Sequence, residues 1–334
     1  MRHGDDTIQR KDGKIDSSEV KPENTFKFVA EEWLNMIKPQ LKPSSVAKYT
    51  NVLNLHLFPL LDSKSITAIT RQDIQKLSID LLTTGSVKST GLSPKTVNCI
   101  LSVLKSVFKY ADREKALKVC DITDINVKQP QHSMQILSMQ EQSILSRYLY
   151  DNLTPCNLGI LICLYTGLRI GEICALKWKD ICIAEHYLDV HKTMQRVQIM
   201  DDKKKTAILI QRPKSDCSIR KIPLPETILS ILKSEEKEPD TFILTGSSQS
   251  FIEPRCMENR FKKVLQACDV KDYKFHTLRH TFATRCVELG FDIKSLSEIL
   301  GHASVSITLN RYVHPSMELK QKNMNLLADL FPSE

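Results

Sequence analysis

The C-terminal half of the chain contains a series of cationic and imidazole side chains that ends in a tyrosine. In HTLRHTFATRCVELG, His276 and Arg279 are three residues apart, so on a helix they share one face. His302 follows Gly301, a residue predicted to end a helix in a left-handed conformation. Tyr312 lies ten residues beyond His302 and is predicted to close a short helix. Fixed donors beside a phenol favour chemistry at a phosphate group.

Two further cationic residues precede this series. Arg169 follows Gly167 in TGLRIGEICALKWKDI, and Lys214 lies in QRPKSDCSIRKIPL, a segment predicted to form a hairpin with the lysine just before its turn. Each residue alone has an ordinary explanation. Arg169 could pair with Glu172 on the next helical turn, and a lysine at a hairpin tip is usually only solvated. The evidence for a site is therefore the combination of segments.

Together these segments resemble the tyrosine recombinase (phage integrase) family. That family is marked by Arg, Lys, His-x-x-Arg, His or Trp, and Tyr, in that order. The likeness covers nearly all of residues 138–315, whereas the N-terminal helical segment resembles the family's core-binding domain only in pattern and charge. The matching residues are Arg169, Lys214, His276, Arg279, His302 and Tyr312.

The resemblance implies that the phenol of Tyr312 attacks a DNA phosphodiester, which leaves a 3′-phosphotyrosine and a free 5′-hydroxyl. Arg169 and Arg279 would direct permanently charged, planar donors at the non-bridging oxygens, where negative charge gathers in the transition state. His302 would add a further hydrogen bond there. Such stabilisation of developing charge is usually the largest single catalytic contribution.

The resemblance also assigns the proton transfers. Lys214 would protonate the leaving 5′-oxygen, and His276 would act as general base or proton partner near Tyr312. Glu172 would orient Arg169, while His280 and His314 are interpreted as ordinary neighbours of the site. The family uses no metal and no cofactor, because the phosphotyrosine conserves the bond energy, and we expect none here.

The implied partner is double-stranded DNA, bound by a homotetramer at the synapse and by a monomer or weak oligomer before assembly. The need for an accessory DNA-bending or directionality factor stays open. We expect integration or excision of a mobile element. The alternatives are an Xer-like resolvase of chromosome or plasmid dimers and a type IB topoisomerase-like enzyme that relaxes DNA. A DNA-binding protein without catalysis and a metal-dependent nuclease fit the residue set less well.

The distribution of charge agrees with a polyanionic partner. The chain has 334 residues and a net charge of +8. Residues 25–130 contain fifteen basic and nine acidic residues, and so hold +6 of that charge. A basic domain attracts DNA by releasing its counterions, although a well-solvated surface would have a similar composition.

The periodicity of apolar residues predicts the elements that position these side chains. We expect a flexible tail at 1–24, a core-binding domain of four helices at 25–118, a linker at 119–135 and a catalytic domain at 136–334. The first domain is expected to be helical and SAM-like. The predicted helix starts are Thr25, Ser44 or Ser45, Thr70, and Ser93 followed by Pro94.

The catalytic domain is predicted to be α+β, so that the whole fold is mainly α with a small antiparallel β-sheet. A capping box at Ser138 and Glu141 starts its first helix, and Gly167 ends the apolar helix Leu158–Tyr165. The predicted strands are Tyr187–Val190, Gln195–Met200, Ala207–Gln211 and Ile219–Leu224.

Ten cysteines without a C-x-x-C pair indicate free thiols in a reducing compartment. Cys182, His186 and His191 come nearest to a zinc-binding group, but they fall in a predicted strand-turn-strand, and we expect no metal site. There is no membrane-spanning apolar run and no signal-peptide core in the first 24 residues. We therefore expect a cytoplasmic, nucleoid-associated protein without a membrane partner.

Overall fold

The computed structural model of the chain describes residues 21–85, 90–130, 133–198, 206–213, 215–313 and 317–325. The chain divides into two compact units, residues 1–131 and 132–334, and each has its own hydrophobic core. Most of the described residues are helical, and the strands are few, short and antiparallel. The predicted fold class is thereby confirmed. Within the described ranges, no helix has the length and apolar character needed to cross a membrane.

The described part of the first unit is built from helices that start mostly where the sequence predicts. Thr25, Thr70 and Ser93 each accept a hydrogen bond from a backbone N–H of the following turn. The prediction for the second helix is wrong, because it starts at Pro43 with Lys42 as its N-cap. The fixed φ of proline suits the first helical position. The helices are α1 (Phe26–Ile37), α2 (Pro43–Val52), α3 (Phe58–Leu61), α4 (Arg71–Thr83) and α5 (Pro94–Glu114).

Part of the segment expected to be a linker packs against this first unit. Ile122 and Ile125 are buried in its core. The side-chain amide of Asn98 both donates to and accepts from the backbone of Val127, at 2.7 and 2.8 Å. These contacts fix the chain after α5 to the helices that precede it.

The second unit combines helices with two small antiparallel sheets. Its helices are α6 (Met139–Asp151), α7 (Pro155–Thr166), α8 (Ile170–Ala175), α9 (Glu226–Ser234), α10 (Pro254–Ala267), α11 (His276–Glu288), α12 (Ile293–Leu300), α13 (Val305–Tyr312) and α14 (Met317–Asn325). Its strands are β1 (Ile181–Cys182), β2 (Tyr187–Val190), β3 (Thr193–Gln198), β4 (Thr206–Gln211) and β5 (Arg220–Pro223). The predicted capping box at Ser138 and Glu141 and the predicted strand at Tyr187–Val190 are confirmed.

The strand pairing differs from the hairpin predicted for Gln211–Leu224. Strand β4 pairs with β3, whereas β5 pairs with β2, in the order β1-β2-β5. The two strands that flank the predicted turn therefore belong to different sheets. A 3-10 turn at Asp216–Ser218 lies between them. This pairing turns Arg220 towards the interior of the unit, since residues of β5 alternate between buried and exposed.

Two glycines end the helices that bracket the predicted site. Gly167 closes α7 at a φ of 67°, and Gly301 closes α12 at a φ of 65°, as predicted for Gly301. Both values lie in the left-handed region, which a residue with a Cβ atom enters at a cost. A Cβ atom on Gly167 would also lie 2.6 Å from Cδ1 of Phe282, a residue of α11. Helix α11 therefore packs closely against the end of α7.

We expect Gly167→Ala to lower the free energy of unfolding more than Gly290→Ala does. Both glycines have a positive φ, and a left-handed alanine costs about 1–2 kcal/mol. Only Gly167 adds a steric conflict, because a Cβ atom on Gly290 would meet no described atom within 4 Å. Urea unfolding of the two variants measures the difference. Equal losses would show that Phe282 adjusts without cost.

Candidate active site

Three arginine side chains converge on the C-terminal end of α12. The last carbonyl groups of a helix lack partners within the helix and form the negative end of its dipole. Here three consecutive carbonyls each accept a hydrogen bond from a different arginine. The pairs are Nε of Arg220 with Ile299 O at 2.6 Å, Nη2 of Arg279 with Leu300 O at 2.6 Å, and Nη2 of Arg169 with Gly301 O at 3.1 Å.

A buried carboxylate joins two of these arginines. Glu172, which is 4 % exposed, accepts from Arg169 at 2.8 Å and from both terminal nitrogens of Arg220 at 2.9 and 3.1 Å. It also accepts from the backbone N–H of Arg169 and so caps α8. Burial alone would raise the pKa of Glu172, but the hydrogen bonds and charges of the two arginines lower it below its ordinary value. The carboxylate therefore stays ionised.

Arg279 is the most deeply buried of the three. Its side chain is 2 % exposed, and its other terminal nitrogen donates to Gly167 O at 2.8 Å. Burial and the nearby charge of Arg169 lower the pKa of Arg279 to about 9. That value is still well above neutral pH, so the guanidinium keeps its charge. Carbonyl groups of α7 and α12 thus hold a full positive charge in the interior of the unit.

Tyr312, the last residue of α13, lies beside these arginines and is 4 % exposed. Its Oη atom is 3.0 Å from Nδ1 of His280, and its ring is parallel to that of His302 at a centroid distance of 6.3 Å. Burial raises the pKa of Tyr312, while the charges of Arg279 and Arg311 act in the opposite direction. The phenol is therefore protonated at neutral pH and needs a proton acceptor before it can act as a nucleophile.

Three histidines surround the phenol and the arginines. The rings of His276 and His280 are perpendicular, with a centroid distance of 4.6 Å, and Nδ1 of His302 is 2.8 Å from Oγ1 of Thr308. The pKa of each of the three histidines is lowered to about 4. Desolvation by the surrounding protein is the largest cause, and nearby cationic side chains add to it. His276 is the most exposed of the three residues. All three rings are therefore neutral at pH 7.

The site differs from the sequence expectation in two respects. The hydroxyl of Tyr312 contacts His280, whereas the prediction paired it with His276. Arg220 was not predicted at all, although the alternation of RKIP on a strand, with Ile222 facing the core, would have placed it inside. Lys214 and His314, both named from the sequence, lie outside the described residues. The remaining candidates come together around α11, α12 and α13; they are Arg169, His276, Arg279, His302 and Tyr312.

Comparison with known families gives two matches. Residues 129–318, more than half of the chain, match the phage integrase family. Residues 25–82 match the N-terminal SAM-like domain of phage integrases. The first match includes every site residue described above, and the second falls within the helical first unit.

Individual proteins with similar sequences are recombinases and integrases. A "Tyrosine recombinase XerC-like" protein of Caldanaerobacter subterraneus subsp. tengcongensis is 29% identical over 330 residues, which cover 90% of this chain and 81% of the relative. The ICEBs1 integrase of Bacillus subtilis is 26% identical over 312 residues, which cover 86% of this chain and 78% of the relative. The similarity thus extends over both units.

Solved structures share the fold. The Tn1549 transposon integrase in complex with transposon right end DNA matches with a TM-score of 0.73 and 20% identity, over 90% of this chain and 99% of that one. A lambda integrase tetramer bound to a Holliday junction matches with a TM-score of 0.60 and 17% identity, over 88% of this chain and 79% of that one. At these identities the likeness concerns the fold.

We expect Arg220→Met to lower the free energy of unfolding by on the order of 3–5 kcal/mol, because it leaves the buried carboxylate of Glu172 without its main partner. The matched control is Arg196→Met, which removes a more exposed ion pair with Glu253 and should cost much less. The double variant Arg220→Met/Glu172→Gln, which also removes the unpaired charge, should recover part of the loss. Urea unfolding checks all three. Equal losses in the two single variants would contradict this assignment.

We expect the free energy of unfolding to fall as the pH decreases from about 6.5 to about 4. The three histidines have folded-state pKa values of about 4, against an unfolded value of 6.5, so in this interval the unfolded chain binds more protons. Their contribution is complete above pH 6.5. Histidine ¹⁵N shifts measure ring protonation directly, and protonation of these rings above about pH 6 would contradict the prediction.

Proposed function

The chain belongs to the phage integrase family and is a site-specific recombinase of the tyrosine type, and we propose that it cleaves and rejoins duplex DNA through a covalent bond to Tyr312. The phenol oxygen attacks a backbone phosphorus, a 3′-phosphotyrosine forms, and the 5′-oxygen leaves. Attack by a 5′-hydroxyl of another strand then reverses the step and joins new partners. The phosphotyrosine preserves the energy of the broken ester, so rejoining requires no high-energy cofactor.

The observation that carries this proposal is an excess of fixed positive charge beside a buried phenol. Arg169, Arg220 and Arg279 converge on one helix end, and among the residues the structure describes Glu172 is the carboxylate that binds two of them, Arg169 and Arg220. Within the described ranges, three guanidinium charges face one carboxylate, which leaves an excess of two positive charges at this helix end. A phosphodiester has one negative charge, and its pentavalent transition state gathers more on the non-bridging oxygens. Donors already fixed in place stabilise that charge without reorganisation.

The proposed roles follow from the chemistry of each side chain. Arg169 and Arg279 bind the non-bridging oxygens, and His302 donates a further hydrogen bond from beside them. His276 belongs to the proton-transfer network of Tyr312. We retain Lys214 as the acid that protonates the leaving 5′-oxygen, on the strength of the family resemblance alone.

The proposed biological outcome is integration or excision of a mobile element. The names of the ICEBs1 integrase and the Tn1549 transposon integrase support this reading, since both refer to mobile elements. An Xer-like resolvase is the second candidate, because the XerC-like relative is similar over 90% of the chain. We further propose that four protomers assemble at the synapse, and the lambda integrase tetramer bound to a Holliday junction supports this number. The charge of +6 on residues 25–130 supports DNA binding by the first unit.

A nicked duplex carrying the recognition site tests the covalent step. Cleavage near the nick releases a short strand and traps the enzyme on DNA, so wild type should give an SDS-resistant adduct. Tyr312→Phe removes only the nucleophilic oxygen and should form no adduct while it still binds the duplex. Tyr150→Phe, a change at an exposed tyrosine of α6, is the matched control and should react like wild type. An adduct with Tyr312→Phe would overturn the proposal, and relaxation of supercoiled DNA without strand exchange would favour a topoisomerase.

A further inference from the structure

We propose that His280, one turn beyond His276 on α11, is a further catalytic residue that accepts the proton of the Tyr312 phenol during DNA cleavage. The inference rests on the proposed function, since it concerns the nucleophile of that reaction. It changes the expected chemistry of the site, because His276 was the residue predicted to act as base. In this assignment His276 orients the acceptor.

The first argument is direct contact with the reacting atom. Oη of Tyr312 lies 3.0 Å from Nδ1 of His280, within the range needed for direct proton transfer. The hydrogen bond joins α11 to α13. Tyr312 is buried and His280 is half-buried. Among the described residues, His280 is the imidazole that hydrogen-bonds this hydroxyl.

The second argument is the orientation of the ring. His276 meets the His280 ring edge to face, at a centroid distance of 4.6 Å and an angle of 89°. The Tyr312 ring lies 5.8 Å from His280 on centroids. Contacts on two sides limit rotation of the imidazole and keep Nδ1 directed at the phenol. In the neutral tautomer with the proton on Nε2, Nδ1 has a free lone pair and can accept.

The third argument concerns charge. The groups that face His280 are His276 and Arg279 from α11 and Arg311 and Tyr312 from α13. Desolvation, and after it His276, Arg311 and Arg279, lower the pKa of His280 to about 4, so the ring is unprotonated at pH 7 and available as an acceptor. A DNA phosphate bound by the arginines introduces negative charge that offsets this effect. The affinity of His280 for a proton therefore rises when the substrate is in place.

The step balances as follows. The bond between Oη of Tyr312 and phosphorus forms while the phenol proton moves to Nδ1 of His280. The bond between phosphorus and the 5′-oxygen breaks, and that oxygen takes a proton from a separate acid. In the rejoining step the imidazolium of His280 returns its proton to the phenol oxygen as the phosphotyrosine is attacked. No net proton, electron or co-reactant is consumed.

The test compares His280→Asn with His280→Ala on the nicked duplex, under single-turnover conditions and with DNA saturating. The side-chain oxygen of asparagine can accept a hydrogen bond near the position of Nδ1, but it cannot take up a proton. We expect both variants to form the adduct at least about 10²-fold more slowly than wild type at pH 7, the usual contribution of a general base. Their rates should then rise with pH as the phenol ionises by itself.

His186→Asn, at an exposed turn between β1 and β2, is the matched control and should keep the wild-type rate. A duplex with sulfur in place of the 5′-bridging oxygen distinguishes loss of the general base from loss of the general acid, because a thiolate leaves without needing a proton.

This sulfur substrate should not restore the adduct rate of the His280 variants. A wild-type rate for His280→Asn, or rescue of that variant by the sulfur substrate, would overturn the proposal. Urea unfolding and DNA binding of each variant distinguish a chemical defect from a folding defect. Because wild type and Tyr312→Phe are assayed in parallel, failure of the covalent mechanism itself would be visible separately.

Discussion

The site depends on hydrogen bonds at the C-terminal end of α12, where three consecutive carbonyl groups each accept from a different guanidinium group. Three like charges in so small a volume repel one another, and each loses hydration on burial. The helix dipole, the carbonyl oxygens and the carboxylate of Glu172 offset that cost together. Gly301 makes the arrangement sterically allowed, because a Cβ atom there would lie 3.0 Å from both Cδ of Arg220 and the carbonyl of Cys217. The same glycine directs the chain into His302.

The arrangement also explains why distant segments must fold together before the site exists. Arg169 follows the end of α7, Arg220 begins β5, and Arg279 lies in the first turn of α11. No two of these segments are neighbours in sequence, and each binds the same helix end. The interactions between the arginines and α12 therefore fix the relative positions of these elements as well as the charge.

Local signals in the sequence predicted much of this structure. The capping box at Ser138, the left-handed residue at Gly301 and the end of α13 at Tyr312 are each encoded within a few residues, and all three were predicted correctly. The pairing of β5 with β2 was missed, because strand pairing depends on contacts that are distant in sequence. Arg220 was missed for the same reason, since its burial follows from that pairing. His280 was judged an ordinary neighbour because helical periodicity does not reveal which of two histidines, four residues apart, faces α13.

The positive charge of the arginines affects the pKa values of the nearby histidines as well as the binding of phosphate. Desolvation is the main cause of the lowered pKa of His276, His280 and His302, and Arg279 adds to it, so a charge that binds the substrate also disfavours protonation of these rings. Without the arginines the pKa of each histidine would therefore lie closer to its ordinary value. A protonated ring could not accept the proton of Tyr312. Loss of Arg279 would thus weaken phosphate binding and raise the pKa of the base at the same time, and the two effects cannot be separated by arginine substitutions alone. Substitutions at the histidines, which leave the arginines in place, separate them.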